Sequence, residues 1–159
     1  MGRELRKLNR ALLDAVVLCN KVEIRRLLKA GAEVDARDEE HNEPAIILAA
    51  KFCHAEILEL LLAAGAKIDA RDDQGRTALF LADVGSETFA RLLAAGADIH
   101  AVDHDGNTIL MRRVSQSVSV NEVDELLRLG INPDAKNVDG ESARDLAISL
   151  GLVNVIERL

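Results

Sequence analysis

The chain has 159 residues, a formal net charge of −7 and a composition that is 48% hydrophobic but 2% aromatic, with three Phe and neither Tyr nor Trp. That charge argues against nucleic acid as partner, because affinity for a phosphate backbone rests on clustered Lys and Arg, and few rings remain for stacking single-stranded bases. No apolar run reaches the length of about 18 residues that spans a membrane, Lys7, Arg10 and Asp14 break up any Sec-type signal, and only two cysteines, Cys19 and Cys53, fit a reducing cytoplasmic setting.

The first ten residues carry a basic island of Arg3, Arg6, Lys7 and Arg10, whose spacing predicts the solvated face of a first helix. A phrase then recurs: a Leu-Leu pair, a short spacer, a glycine and an Asp-containing stretch. Leu27-Leu28 leads to Gly31, Leu61-Leu62 to Gly65, Leu92-Leu93 to Gly96 and Leu126-Leu127 to Gly130, with glycine spacings of 34, 31 and 34 residues. A period of that length marks stacked supersecondary units, about five in a chain of this size. In the second unit the pattern predicts helices over Ala45–Phe52 and Ala55–Ala64. Each glycine then fits the left-handed position that ends a helix. The Asp-rich stretches that follow favour tight turns. Thr77, Thr108 and Ser142 start the next helices as hydroxyl caps, and Pro44 stands at the aligned place in the second unit, expected at the first helical position.

The third unit reads Asp72-Asp73-Gln74-Gly75-Arg76-Thr77-Ala78-Leu79 and the fourth Asp103-His104-Asp105-Gly106-Asn107-Thr108-Ile109-Leu110. With the Leu-Leu-x-x-Gly-Ala phrase of Leu61–Ala66, these segments resemble the ankyrin-repeat family over about Leu8 to Leu159. The resemblance implies an all-α solenoid of about five helix-turn-helix units with protruding β-turn or hairpin loops. A single domain, 1–159, is expected, with repeats at about 5–37, 38–71, 72–102, 103–136 and 137–159. The first and last units are expected to act as caps, with Arg144 replacing the apolar residue of earlier units.

Departures from the family pattern carry their own expectations. The signature His is replaced by Ile47, Phe80, Met111 and Asp145, which predicts looser turns. Charges at Asp83, Arg112 and Arg113 stand where small residues are usual, and equivalent positions on neighbouring units would pair Asp83 with Arg113 and Arg112 with Asp145. The third unit is two residues short around Asp83 to Glu87. The fourth has an extra residue in the serine-rich 115–119 stretch, expected to be a mobile loop.

No motif for catalysis or phosphate binding is present. His100 and His104 with Asp98, Asp103 and Asp105 form the densest set of metal-ligand types, yet the turn itself requires those carboxylates, so neither metal nor cofactor is expected. The resemblance implies instead a non-enzymatic module for protein–protein interaction, which binds through turn tips and the concave helix face. Carried over position by position, the partner-binding residues are Arg37, Glu39, Glu40, Lys51, Phe52, Arg71, Asp73, Gln74, Arg76, Val102, His104, Asp105, Asn107, Lys136 and Val138, with Asp139, Glu141, Val84 and Gln116 nearby. Phe52 is the anchor candidate. The acidic majority of the tips predicts a monomeric chain whose protein partner carries a basic patch. The alternatives are an acidic inhibitor or immunity-type protein that blocks a basic toxin or enzyme, and a self-associating scaffold.

Overall fold

A computed structural model describes residues 2–52, 54–116 and 118–159. Ten helices occur among them: α1 (Gly2–Val17), α2 (Lys21–Lys29), α3 (Ala45–Lys51), α4 (Ala55–Ala63), α5 (Ala78–Leu81), α6 (Glu87–Ala94), α7 (Ile109–Ser115), α8 (Val120–Arg128), α9 (Ala143–Ser149) and α10 (Val153–Ile156). No strand forms among these residues; an isolated antiparallel bridge joins Arg37 to Pro44. The fold is all-α, as the repeat period predicts. The chain divides into two compact units, Met1–Ala97 and Asp98–Leu159.

In the first unit α1, α3 and α5 form one packed row, while α4 packs on α6. Small side chains make the close row possible: Ala45, Ala49, Ala50, Ala78 and Ala82 are all at most 1% exposed. Leu12, Val16, Ile24, Leu27, Ile57, Leu58, Leu61, Phe89 and Leu92 fill the space between rows. Each such aliphatic side chain contributes about 1.5–3 kcal/mol on full burial. In the second unit α7 packs on α9, and α10 on both α8 and α9, around Ile109, Leu110, Val114, Val123, Leu126, Ala143 and Ala147.

The helix ends follow the chemistry of the sequence. Gly65 has φ +92°, and past it the Ala66 amide donates to the Leu61 carbonyl at 3.0 Å, so the residue without a Cβ closes α4. The hydroxyls of Thr77, Thr108 and Ser142 accept from the amides of Phe80, Met111 and Asp145 at 3.2, 3.3 and 3.1 Å. Pro44 differs from expectation. It is extended (ψ 155°) and occupies the cap itself, outside the helix, where its carbonyl accepts from the Ile47 amide at 2.9 Å. A proline at the cap still costs nothing there, because the bond it makes uses its oxygen.

The two shortened or lengthened units show where the period breaks. The missing residues of the third unit come out of its first helix: α5 has four residues against seven in α3, α7 and α9. The chain turns extended at Ala82, the Ser86 amide donates to the Asp83 carbonyl at 3.0 Å, and Asp83 is exposed. In the fourth unit Val118 is buried and Ser119 caps α8 with a reciprocal bond from Glu122, while Ser117 lies outside the described residues.

Candidate protein-binding site

Within each unit, the tips of neighbouring repeats are fastened to each other. In the first unit the Asn42 amide donates to Asp73 Oδ1 at 2.8 Å, and the Arg37 guanidinium donates to the carbonyls of Asn42 and Arg71 at 2.7 Å each. The Lys67 amide donates to Asp35 at 3.0 Å. In the second unit the Val138 amide donates to the Asp105 carbonyl at 2.9 Å, and Asn137 Nδ2 to Asn107 Oδ1 at 3.0 Å. Ties between turns therefore exist without the signature His; three of the four positions it would fill hold buried apolar residues, Ile47, Phe80 and Met111, and the fourth holds the exposed Asp145. The turns are bonded, against the expectation of looser ones.

Within each tip an aspartate organises the loop. Asp38 Oδ1 accepts from the amides of His41 and Glu43, Asp72 Oδ1 from Gln74 and Arg76, and Asp103 Oδ1 from Asp105 and Asn107. This is the Asx-type turn in which a short carboxylate replaces backbone acceptors. Burial pushes the Asp72 carboxyl up, but the Arg76 guanidinium and the two amides outweigh it and hold it below the usual carboxylate range. Asp98 likewise accepts from the His100 amide, so the Asp98 and Asp103 carboxylates are engaged in turn formation. Among the described residues no three His, Cys, Asp or Glu side chains converge on a metal position.

The residues expected to bind a partner divide by what they touch. Glu39, Glu40, Asp73, Gln74, His104 and Asp105 are exposed at the tips, as are Val102 and Val138. Arg37 and Arg71 are exposed too, but Arg37 donates to two carbonyls and Arg71 to the Gly75 carbonyl at 2.6 Å. Arg76 and Asn107 are half-buried and serve their own turns. Lys51 reaches back along α3 to Glu43, and Lys136 pairs with Asp145 at 2.5 Å. Phe52 is exposed at the helix end, as expected, and not at a tip. It caps the C-terminal end of α3, about 10 Å from the tip by helix rise, and its ring stacks on His54 at 6.1 Å. Val84 and Gln116 also follow their helices, and Cys53 lies outside the described residues.

The charges of the fourth and fifth repeats find local partners. Arg113 pairs with Glu122 and so joins α7 to α8, and Asp145 takes Lys136 together with the Ser142 hydroxyl and amide. Asp83 and Arg112 are engaged as well. Burial raises the Glu122 carboxyl, but Ser119 and Arg113 together bring it below its usual value. Arg144, expected as a cap, pairs with Asp134 at 3.4 Å, while Ile148, Leu150 and Val153 remain exposed.

Sequence reasoning passed over one wall of a groove. A cavity of about 520 Å³ in the first unit is lined by Arg6, Asn9, Arg10, Leu13 and Asp14 on α1, and by the 37–40 segment. Asn9 locks that geometry through reciprocal bonds with Glu33, at 2.7 and 2.9 Å. The signal was present: Arg6, Arg10 and Asp14 stand four residues apart and share one helix face.

Residues 12–103 match a family model for ankyrin repeats, three copies. The chain belongs to the ankyrin-repeat family, whose members are generally protein–protein interaction modules and typically non-enzymatic. A search of curated proteins finds no match. No helix among the described residues is long and apolar enough to cross a membrane.

Proposed function

We propose that this chain is a non-enzymatic, monomeric cytoplasmic module that binds a protein partner through its turn tips, and that the partner presents a basic patch. One observation carries the reading: within each unit neighbouring tips are hydrogen-bonded to each other, while Glu39, Glu40 and Asp73 in the first unit and Asp105 in the second stay exposed. Tips fixed in this way lose little conformational freedom on binding, which favours affinity. Their carboxylates steer an oppositely charged partner. An inhibitor that covers a basic enzyme or toxin is one form of the same reading.

The test is affinity capture with wild type beside an Asp73→Lys, Asp105→Lys variant, followed by stopped-flow association with the captured protein. Capture is expected to fail with the variant, and the wild-type association rate is expected to fall as salt rises. A partner held equally by both proteins, at a rate indifferent to salt, would refute the tips as the contact. Self-association is a second reading, favoured by the exposed apolar side chains of Leu18, Val22 and Phe52 in the first unit. Light scattering across a concentration series separates it from a monomer.

A further inference from the structure

We infer that the groove between α1 and the 37–40 segment is a subsite for an extended, basic peptide segment of the partner. The inference rests on the protein-binding reading and adds a place and a chemistry to it. The groove's volume of about 520 Å³ lies in the range of roughly 300–1,000 Å³ typical of ligand sites. Its walls carry opposite charge: Arg6 and Arg10 project from α1, and Glu39 and Glu40 from the loop. Among the described residues no ion pair crosses between them. Charges more than about 4 Å apart in water attract only weakly, too little to draw the walls together. The space between them stays open.

The existing bonds decide which ligand suits it. The Arg37 guanidinium is held by two carbonyls, Asp38 by two amides and Arg6 Nε by the Gly2 carbonyl at 3.3 Å. Asp14, Glu39 and Glu40 make no side-chain bond among the described residues, and neither does Arg10. The lining holds four carboxylates, Asp14, Asp38, Glu39 and Glu40, against three guanidiniums, Arg6, Arg10 and Arg37, and the acidic excess lies on the loop at Asp38, Glu39 and Glu40, which favours a cation there. Leu13, 8% exposed, offers an apolar floor for the methylene stem of a Lys or Arg whose head reaches Glu39 and Glu40. Arg10 has donors and no acceptor, so it suits the backbone carbonyls of an extended chain. A basic side chain beside free carbonyls describes an extended peptide better than a helix, whose carbonyls are already used.

The experiment screens a displayed library of random linear 12-residue peptides on the full chain, then measures fluorescence anisotropy of the recovered peptide. Recovered sequences are expected to share a Lys or Arg at one position. Affinity should fall roughly tenfold or more in Glu39→Lys, Glu40→Lys and severalfold in Arg10→Ala, with melting temperatures unchanged, whereas Glu157→Lys, an exposed position outside the tips, leaves it intact. Recovery of no peptide, or of peptides without a shared basic residue, overturns the inference, as does equal loss in the Glu157→Lys protein, which would indicate diffuse charge. Binding that survives Glu39→Lys, Glu40→Lys but is lost in Asp73→Lys overturns the groove alone and leaves the tip reading standing. Should the double reversal lower the melting temperature, Glu40→Gln provides the same comparison without a new charge.

Discussion

Lys51 sets its ammonium on both carboxylate oxygens of Glu43, at 2.8 and 2.9 Å, and that glutamate is only 2% exposed. Arg76 stands 3.9 Å from the same carboxylate and 2.7 Å from Asp72. A buried anion thus links the helix end of the second repeat to the turn of the third. The expected ranking of substitutions follows from which charge is left without a partner. Lys51→Met leaves a buried carboxylate with only Arg76 at 3.9 Å and should cost about 2 kcal/mol, whereas Glu43→Gln releases a lysine that water can reach and should cost about 1 kcal/mol. The double variant is expected to be more stable than Lys51→Met alone. Urea denaturation of the three proteins as a mutant cycle checks the order.

Acid should unfold this protein through identifiable carboxylates. Asp72, Glu122, Asp145 and Glu23 are all held below their usual range: Asp72 and Glu122 against their own burial, Asp145 by Lys136 and Ser142, and Glu23 by Arg26. A carboxyl with a depressed folded pKa contributes stability above its unfolded value, about 4, and loses it as pH falls through the folded value. The melting temperature should therefore be level from neutral pH to about 5 and fall steadily below about 4. Glu122→Gln should flatten part of that fall. Thermal melts from pH 7 to pH 2 measure it.

Gly106 and Gly140 share φ +76° but not their surroundings. A Cβ on Gly106 would lie 3.3 Å from the Cα of Asn137 and the amide nitrogen of Val138, while one on Gly140 meets nothing within 4 Å. Gly140→Ala should cost about 1 kcal/mol for the left-handed backbone alone. Gly106→Ala should cost more, because the adjacent turn must give way where Val138 bonds Asp105. Chemical denaturation of the pair isolates the close approach, and equal losses would deny it.

Removing the Glu122 carboxylate tests the join between α7 and α8. Its oxygens hold Arg113 and both the amide and hydroxyl of Ser119. Glu122→Ala should destabilise by about 2 kcal/mol, since a half-buried guanidinium loses one partner and Ser119 loses the reciprocal half of the capping box. Ser119→Ala, which leaves the ion pair, is expected to cost about 1 kcal/mol.

The fold was legible because one phrase repeats. Leu-Leu followed by glycine specifies a helix and its end, and the Thr or Ser at fixed offset specifies the next beginning. Pro44 was misplaced by one residue because a proline suits both the cap and the first helical turn, and residue type does not separate them. The surface was less legible for a physical reason. Which tip charges remain available depends on bonds between segments about 30 residues apart, such as Arg37 with Arg71 and Asn42 with Asp73. Lys51 illustrates it: an exposed lysine by pattern, it is committed to a buried glutamate that no local rule places there. The groove wall on α1 was missed because its basic residues were weighed only as a solvated face, without the loop opposite.

Helix α5 consists of Ala78–Leu81, and its backbone is closed by the Leu81 amide on Thr77 and the Ala82 amide on Ala78. A helix of one turn gains nothing from propagation, because the unfavourable nucleus is all there is. It persists only while α3 and α6 are already in position beside it. During folding it must therefore form late in its unit, and during partial opening it must be lost as soon as either neighbour departs. Hydrogen exchange at the Leu81 and Ala82 amides is thus a clock for the integrity of the helices around them.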